Sequence, residues 1–221
     1  MATPQTVTVK LVNAGNPVVK DSYGVDVGPY TLAVNGVDLL ALCVDDQDWS
    51  SVGASWTATV TKLSGLNVSN TYNPSELTEY EETAVLYNLI TKSGADRVDI
   101  QHAAWDIMDG QITNKTALNW AIWGGYISPS DGAIPYIEDA ISAYNTTNLN
   151  GFEILSDSTA GDCSREQEFL VYTPASTATP EPGTYALLGL GLIALGGSRA
   201  LYNKRKMAKE LGQPALVRKE S

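Results

Sequence analysis

The chain reads as an α+β protein: a β-sandwich or barrel with an inserted helical subdomain, then a linker and a short C-terminal transmembrane helix. Three observations predict this. Apolar residues alternate with period two over the first third, recur at three- and four-residue steps in the middle, and return to period two before residue 172. A Pro-, Thr- and Ser-rich stretch follows at 173–184. An uncharged, Gly-rich apolar segment then starts at 185 and gives way to basic residues.

Each element follows from its own pattern. In residues 5–13, Thr6, Thr8, Lys10 and Val12 alternate with Val7, Val9 and Leu11, as in a half-buried strand. Residues 30–34, the dipeptide Asn35-Gly36 and residues 37–44 read as a hairpin with a type I′ turn. Trp56, Ala58 and Val60 oppose Thr57, Thr59 and Thr61 in a strand over 55–63. After the turn residues Asn73-Pro74-Ser75, Thr78 and Glu81 have capping-box spacing. Tyr80, Ala84, Leu86, Tyr87 and Ile90 then predict a helix over 79–90 that Gly94 ends. A second helix is expected over 96–108, with Val98, Gln101, Trp105 and Met108 on one face and Gly110 after it. Residues 114–123 and 135–144 read as further helical pieces, and 151–155 and 166–172 as closing strands. The expected sum is roughly six or seven strands and three or four helices.

Composition narrows the function. With 43% apolar and 18% charged residues, the 221-residue chain is globular and long enough for a sizeable core. Two Cys and one His exclude a disulfide-dense scaffold, a four-Cys zinc site and a His-rich metal centre, and leave a Ser-His-Asp hydrolase only His102. A net charge of −11 argues against a nucleic-acid partner. That charge is polarised: residues 1–198 hold seven basic and 23 acidic residues, and residues 199–221 hold seven and two. The division expected is a body at 1–172, a linker at 173–184, an apolar membrane helix at 185–203 and a basic cytoplasmic tail at 204–221, which places the acidic body outside the cytoplasm.

Pro180-Glu181-Pro182, the apolar run from Ala186 to Leu192, and the basic residues Arg199, Lys204, Arg205 and Lys206 stand in a telling order. Together they resemble the PEP-CTERM sorting signal. The resemblance implies a cell-envelope protein whose partners are an exosortase and the membrane. It also implies cleavage near Pro180-Glu181-Pro182 and release of the body to the surface or an extracellular matrix. Residues 1–13 lack a basic n-region and an apolar h-region, so a trimmed or misassigned start is expected.

Within the body, Leu42-Cys43-Val44 falls late in an expected strand, and Ile100-Gln101-His102-Ala103-Ala104-Trp105 falls on an expected helix. These two segments resemble bacterial thioester domains, surface modules in which a Cys thiol and a Gln carboxamide form an internal thioester. The resemblance implies that Cys43 supplies the thiol and Gln101 the acyl group. Trp105, about one helical turn on, would shield the bond from water, with Trp49, Tyr80 and Tyr87 as further shields. The acceptor would be an amine-bearing partner. No cofactor or metal is called for, and a bond made once without turnover makes the protein no enzyme.

Other readings of the same residues stay open. Cys43 could be a small core hydrophobe, or pair with Cys163 in a disulfide. Asp45, Asp46 and Asp48 could take up Ca²⁺. Glu79, Glu81 and Glu82 could include a glycosidase carboxylate, although neighbouring helical glutamates normally form a solvated face. His102 could assist proton transfer as the thioester opens. The alternative function is an inert structural protein of a biofilm or exopolysaccharide matrix, with the same address and no reactive bond.

Overall fold

The computed structural model describes residues 4–174, apart from 16, 93, 111, 129 and 159–164. Met1–Ala175 form one compact unit and Ser176–Ser221 a second. The second unit falls outside the described residues. With it fall Pro180, Glu181 and Pro182, the membrane helix expected at 185–203, and Arg199, Lys204, Arg205 and Lys206. Among the described residues no helix is long and apolar enough to cross a membrane.

In chain order the strands are β1 (Thr6–Asn13), β2 (Val19–Lys20), β3 (Asp26–Val27), β4 (Tyr30–Val34), β5 (Val37–Cys43), β6 (Ser55–Lys62), β7 (Phe152–Asp157) and β8 (Phe169–Tyr172). Six of them close an antiparallel barrel in the order β1, β4, β5, β8, β7, β6, which decides between the barrel and the sandwich. Strands β2 and β3 pair as a small separate sheet. Two residues per strand are too few to show an alternation, so this sheet leaves no pattern in the sequence.

The barrel strands form where their patterns say they should. Val7, Val9 and Leu11 of β1 are buried while Thr6, Thr8 and Lys10 are exposed. Between β4 and β5, Asn35 at φ 48° and Gly36 at φ 83° adopt the two left-handed conformations that a type I′ turn demands. That turn sets the register Val34 to Val37 and Tyr30 to Ala41. Strand β5 consequently serves two cores. Ala41 and Cys43 point into the barrel, whereas Leu42, and Val44 just past the strand, join the helical core outside it. Strand β8 does the same, with Phe169 and Val171 inside and Leu170 outside.

Helices α1 (Leu77–Ile90), α2 (Arg97–Gly110), α3 (Lys115–Trp123) and α4 (Ile134–Ala143) lie between β6 and β7. Those two strands pair with each other from Ala58–Asp157 to Lys62–Glu153. The helical block is therefore a true insertion that leaves and re-enters the barrel at neighbouring strands. Its core includes Leu86, Ile90, Ile100, Ile107 and Ile137. Burying each such side chain contributes about 1.5–3 kcal/mol relative to leaving it exposed.

Several expectations need correction. The capping box at Thr78 and Glu81 does not form: α1 starts at Leu77, Glu76 occupies the cap position without a side-chain cap bond, and Thr78 is already helical. On α2, Val98 and Trp105 are only half-buried, and the buried surface comprises Ile100, Gln101, Ala103, Ala104, Ile107 and Met108. The helix packs on α1, α4 and β5 together, so one narrow stripe cannot describe it. Nor is the glutamate run of α1 a solvated face, since Glu79 and Glu82 are both buried. Strand β8 begins at Phe169 rather than 166, although the Glu168 carbonyl still accepts from Val44 N at 3.0 Å.

Candidate functional site

Cys43 is the last residue of β5, at the end of the barrel that faces α2. The alternation imposed by the β4–β5 turn turns its side chain inward and leaves its carbonyl at the strand terminus. Gln101 sits in the second turn of α2, on the surface that packs on that terminus. The two side chains are fully buried, at 0% exposure each. Gln101 Nε2 donates to the Cys43 carbonyl oxygen at 2.7 Å. Residues 58 positions apart in sequence are thus brought together by the docking of the helical block on the barrel.

The unused atoms are informative. Gln101 Oε1 is buried without a hydrogen-bond partner among the described residues, a state that ordinarily costs about 1–3 kcal/mol. It faces Gly28: a Cβ there would lie 3.2 Å from Oε1 and 3.1 Å from the Tyr30 ring. The glycine keeps room for the carboxamide. The Cys43 thiol donates to the Asp45 carbonyl at 2.9 Å, and Gln167 Nε2 donates to the same oxygen at 3.2 Å. Burial pushes the thiol pKa far up, so Cys43 is protonated at neutral pH.

Trp105 packs with the barrel core that contains Cys43. Its Nε1 makes no regular hydrogen bond, yet the indole acts on the Cys43 thiol and partly offsets the effect of burial. His102 lies outside this layer, its ring 5.6 Å from that of Trp105 and its Nε2 3.2 Å from Asp21 Oδ2. Burial alone would raise the Asp21 pKa. Hydrogen bonds with Val25, His102 and Tyr23 outweigh it and hold the carboxyl below its usual value. The partner of His102 is therefore the turn between β2 and β3.

The other expected shields do not stand here. Trp49 is 70% exposed. Tyr80 donates to the Glu168 carboxylate, and Tyr87 donates to the Leu40 carbonyl at 3.1 Å with its ring edge-on to Phe152. The aromatic rings that pack in the core with Cys43 are instead Tyr30 and Phe169, which the sequence did not single out. Both belong to the core around Cys43, with ring centroids 5.4 Å apart. Burial and the Cys43 sulfur push the Tyr30 hydroxyl pKa upward, and the hydroxyl donates to the Asp26 carbonyl. Tyr30 was legible only as an alternating strand residue; nothing in its sequence context marks proximity to a cysteine.

The remaining acidic and cysteine side chains make the following contacts. Among the described residues no group of three or more His, Cys, Asp or Glu side chains is placed to hold a metal ion, so the geometry lends the Ca²⁺ reading of Asp45, Asp46 and Asp48 no support. Asp45 Oδ1 accepts from Gln47 N at 2.9 Å, a local turn bond, and Asp48 pairs with Arg165 at 3.1 Å. Cys43 is a free thiol, and Cys163 lies outside the described residues. Glu168 is fully buried and accepts from Tyr80, Ser156 and, at 3.0 Å, Tyr72 N. Burial lifts its pKa to about 7 despite those bonds.

No curated protein and no solved structure matches the chain. Residues 178–200 match the PEP-CTERM protein-sorting motif, and they include Pro180, Glu181, Pro182 and Arg199. The chain thus carries a PEP-CTERM sorting signal, which implies export, processing by an exosortase and anchoring at the membrane of the cell envelope.

Proposed function

We propose that the body of this sorted envelope protein is a covalent-attachment module in which Cys43 and Gln101 form an internal thioester. The observation that carries the reading is the seating of a fully buried Gln101 carboxamide on Cys43, with one amide oxygen left unpartnered. A glutamine buried in that way makes a poor structural residue, because half of its polar capacity is wasted.

The chemistry is balanced within the pair. The Cys43 sulfur adds to Gln101 Cδ, the C–N bond breaks, and the thiol proton leaves with the nitrogen as ammonia. The Cδ–S bond is then open to an amine on a partner. Attack forms an amide, breaks Cδ–S and returns a proton to the sulfur. Rigid seating on β5 and α2 replaces most of the entropic cost of bringing the groups together. Tyr30, Phe169 and Trp105 keep water from the acyl carbon. One bond is made per molecule, so this is attachment rather than enzymatic turnover.

The second reading, an inert structural protein of the envelope or matrix, is favoured by the thiol itself. Its raised pKa and its bond to the Asp45 carbonyl suit a core cysteine. Intact mass of the purified chain without reductant separates the two. A thioester lowers the mass by roughly 17 Da and is replaced by methylamine on brief treatment, and Cys43→Ala abolishes both changes. An unshifted mass that ignores methylamine overturns the covalent reading.

A further inference from the structure

On α3, Thr116, Asn119, Trp120 and Trp123 recur at three- and four-residue steps and occupy one face. The opposite face is the one that docks, through buried Leu118 and half-buried Ala117, Ala121 and Ile122. Trp120 and Trp123 are left 62% and 80% exposed. Their rings stand edge to face with centroids 5.1 Å apart, and with Thr116 and Asn119 they line an open cavity of about 280 Å³. Among the described residues, neither the Thr116 hydroxyl nor the Asn119 carboxamide has a side-chain hydrogen-bond partner.

We propose that this cleft is a binding site for a neutral polysaccharide, with a sugar ring stacked on the indoles and its hydroxyls bonded by Asn119 and Thr116. An indole face carries negative charge density and attracts the polarised C–H groups of a pyranose. Hydroxyl groups around the ring's edge match the free amide and hydroxyl beside the indoles. The lining carries no charged residue. The surrounding body is strongly acidic, with 23 acidic against seven basic residues in 1–198, so an anionic glycan or an anionic lipid surface would be repelled.

Area argues against a second copy of the chain. Two indoles at these exposures offer roughly 300 Å², well short of the roughly 800 Å² per partner of a stable protein interface. The cleft is separate from Cys43 and Gln101, and the inference does not depend on a thioester.

The test is tryptophan fluorescence titration of the full chain with cellohexaose, laminarihexaose, maltohexaose and mannohexaose, supported by gel retardation in the corresponding polysaccharides. At least one probe should bind saturably. Trp123→Ala and Trp120→Ala should each weaken binding about tenfold, Asn119→Ala should weaken it less, and the control Trp49→Ala, at an exposed tryptophan elsewhere on the body, should leave it unchanged. Both tryptophans are exposed, so loss of fold does not confuse the result, and circular dichroism checks it. Absence of binding to every probe overturns the proposal. So does binding unaffected by the two Trp variants. Trp-dependent binding to phosphatidylcholine vesicles, or Trp-dependent self-association in sedimentation, without sugar binding, also overturns it in favour of those occupants.

Discussion

Glu82 offers the sharpest test of how the helical block is held. The residue lies on α1 at 0% exposure, and neither carboxylate oxygen has a hydrogen-bond partner among the described residues. Burial, reinforced by Glu79 and Glu81, raises its pKa from an ordinary 4.5 to about 8. A carboxyl with a raised folded-state pKa holds its proton more tightly in the folded chain than in the unfolded one. Its contribution to stability is complete below pH 4.5 and is lost as the pH rises through about 8. At about 1.36 kcal/mol per pH unit, the loss reaches about 3 kcal/mol by pH 7 and about 4 kcal/mol by pH 8. Urea unfolding of the wild type and Glu82→Gln, followed from pH 4.5 to pH 8, measures it. Glu168 titrates over an overlapping range in both proteins, so the difference between their slopes belongs to Glu82. The variant should lose much less stability over that range. Parallel pH profiles would refute the reasoning and show that the carboxylate is solvated or partnered.

Two further outcomes follow from local geometry. Asn114 caps α3 by accepting from Thr116 N and Ala117 N, each at 3.0 Å; Asn114→Ala should cost about 1 kcal/mol in urea unfolding, and no loss would mean that the helix end is solvated instead. Gly28→Ala places a methyl group 3.2 Å from Gln101 Oε1 and 3.1 Å from the Tyr30 ring. On the thioester reading proposed above, it should reduce the fraction of chains showing the mass deficit while the protein stays folded by circular dichroism, and an undiminished deficit would show that the carboxamide has room to spare.

The period-two strands, the Asn35-Gly36 turn and the helical insertion were legible because each depends on residues near in sequence. A type I′ turn needs left-handed conformations at adjacent positions, and Asn-Gly supplies them. Likewise, the sorting motif is a linear signal that can be read without a fold. Cys43 and Gln101 were legible as a pair only through the resemblance that their flanking residues carry; no periodicity or spacing in the sequence brings them together.

Tertiary structure alone decided the rest. Closure of β1 on β6 made the sheet a barrel, because hydrogen bonding between distant strands leaves no local pattern. Docking of α2 on the end of β5 brought the Gln101 carboxamide to the Cys43 carbonyl. It also turned Trp105 toward the barrel core and gave His102 to Asp21. The aromatic neighbours of Cys43 came from β4 and β8, strands that meet β5 only by pairing. Glu79 and Glu82 of α1 went the other way, into burial, on a helix that packs on α2 and α4. Helical and strand periods follow from backbone geometry within a few residues, whereas burial of a polar side chain depends on which surfaces meet across the fold.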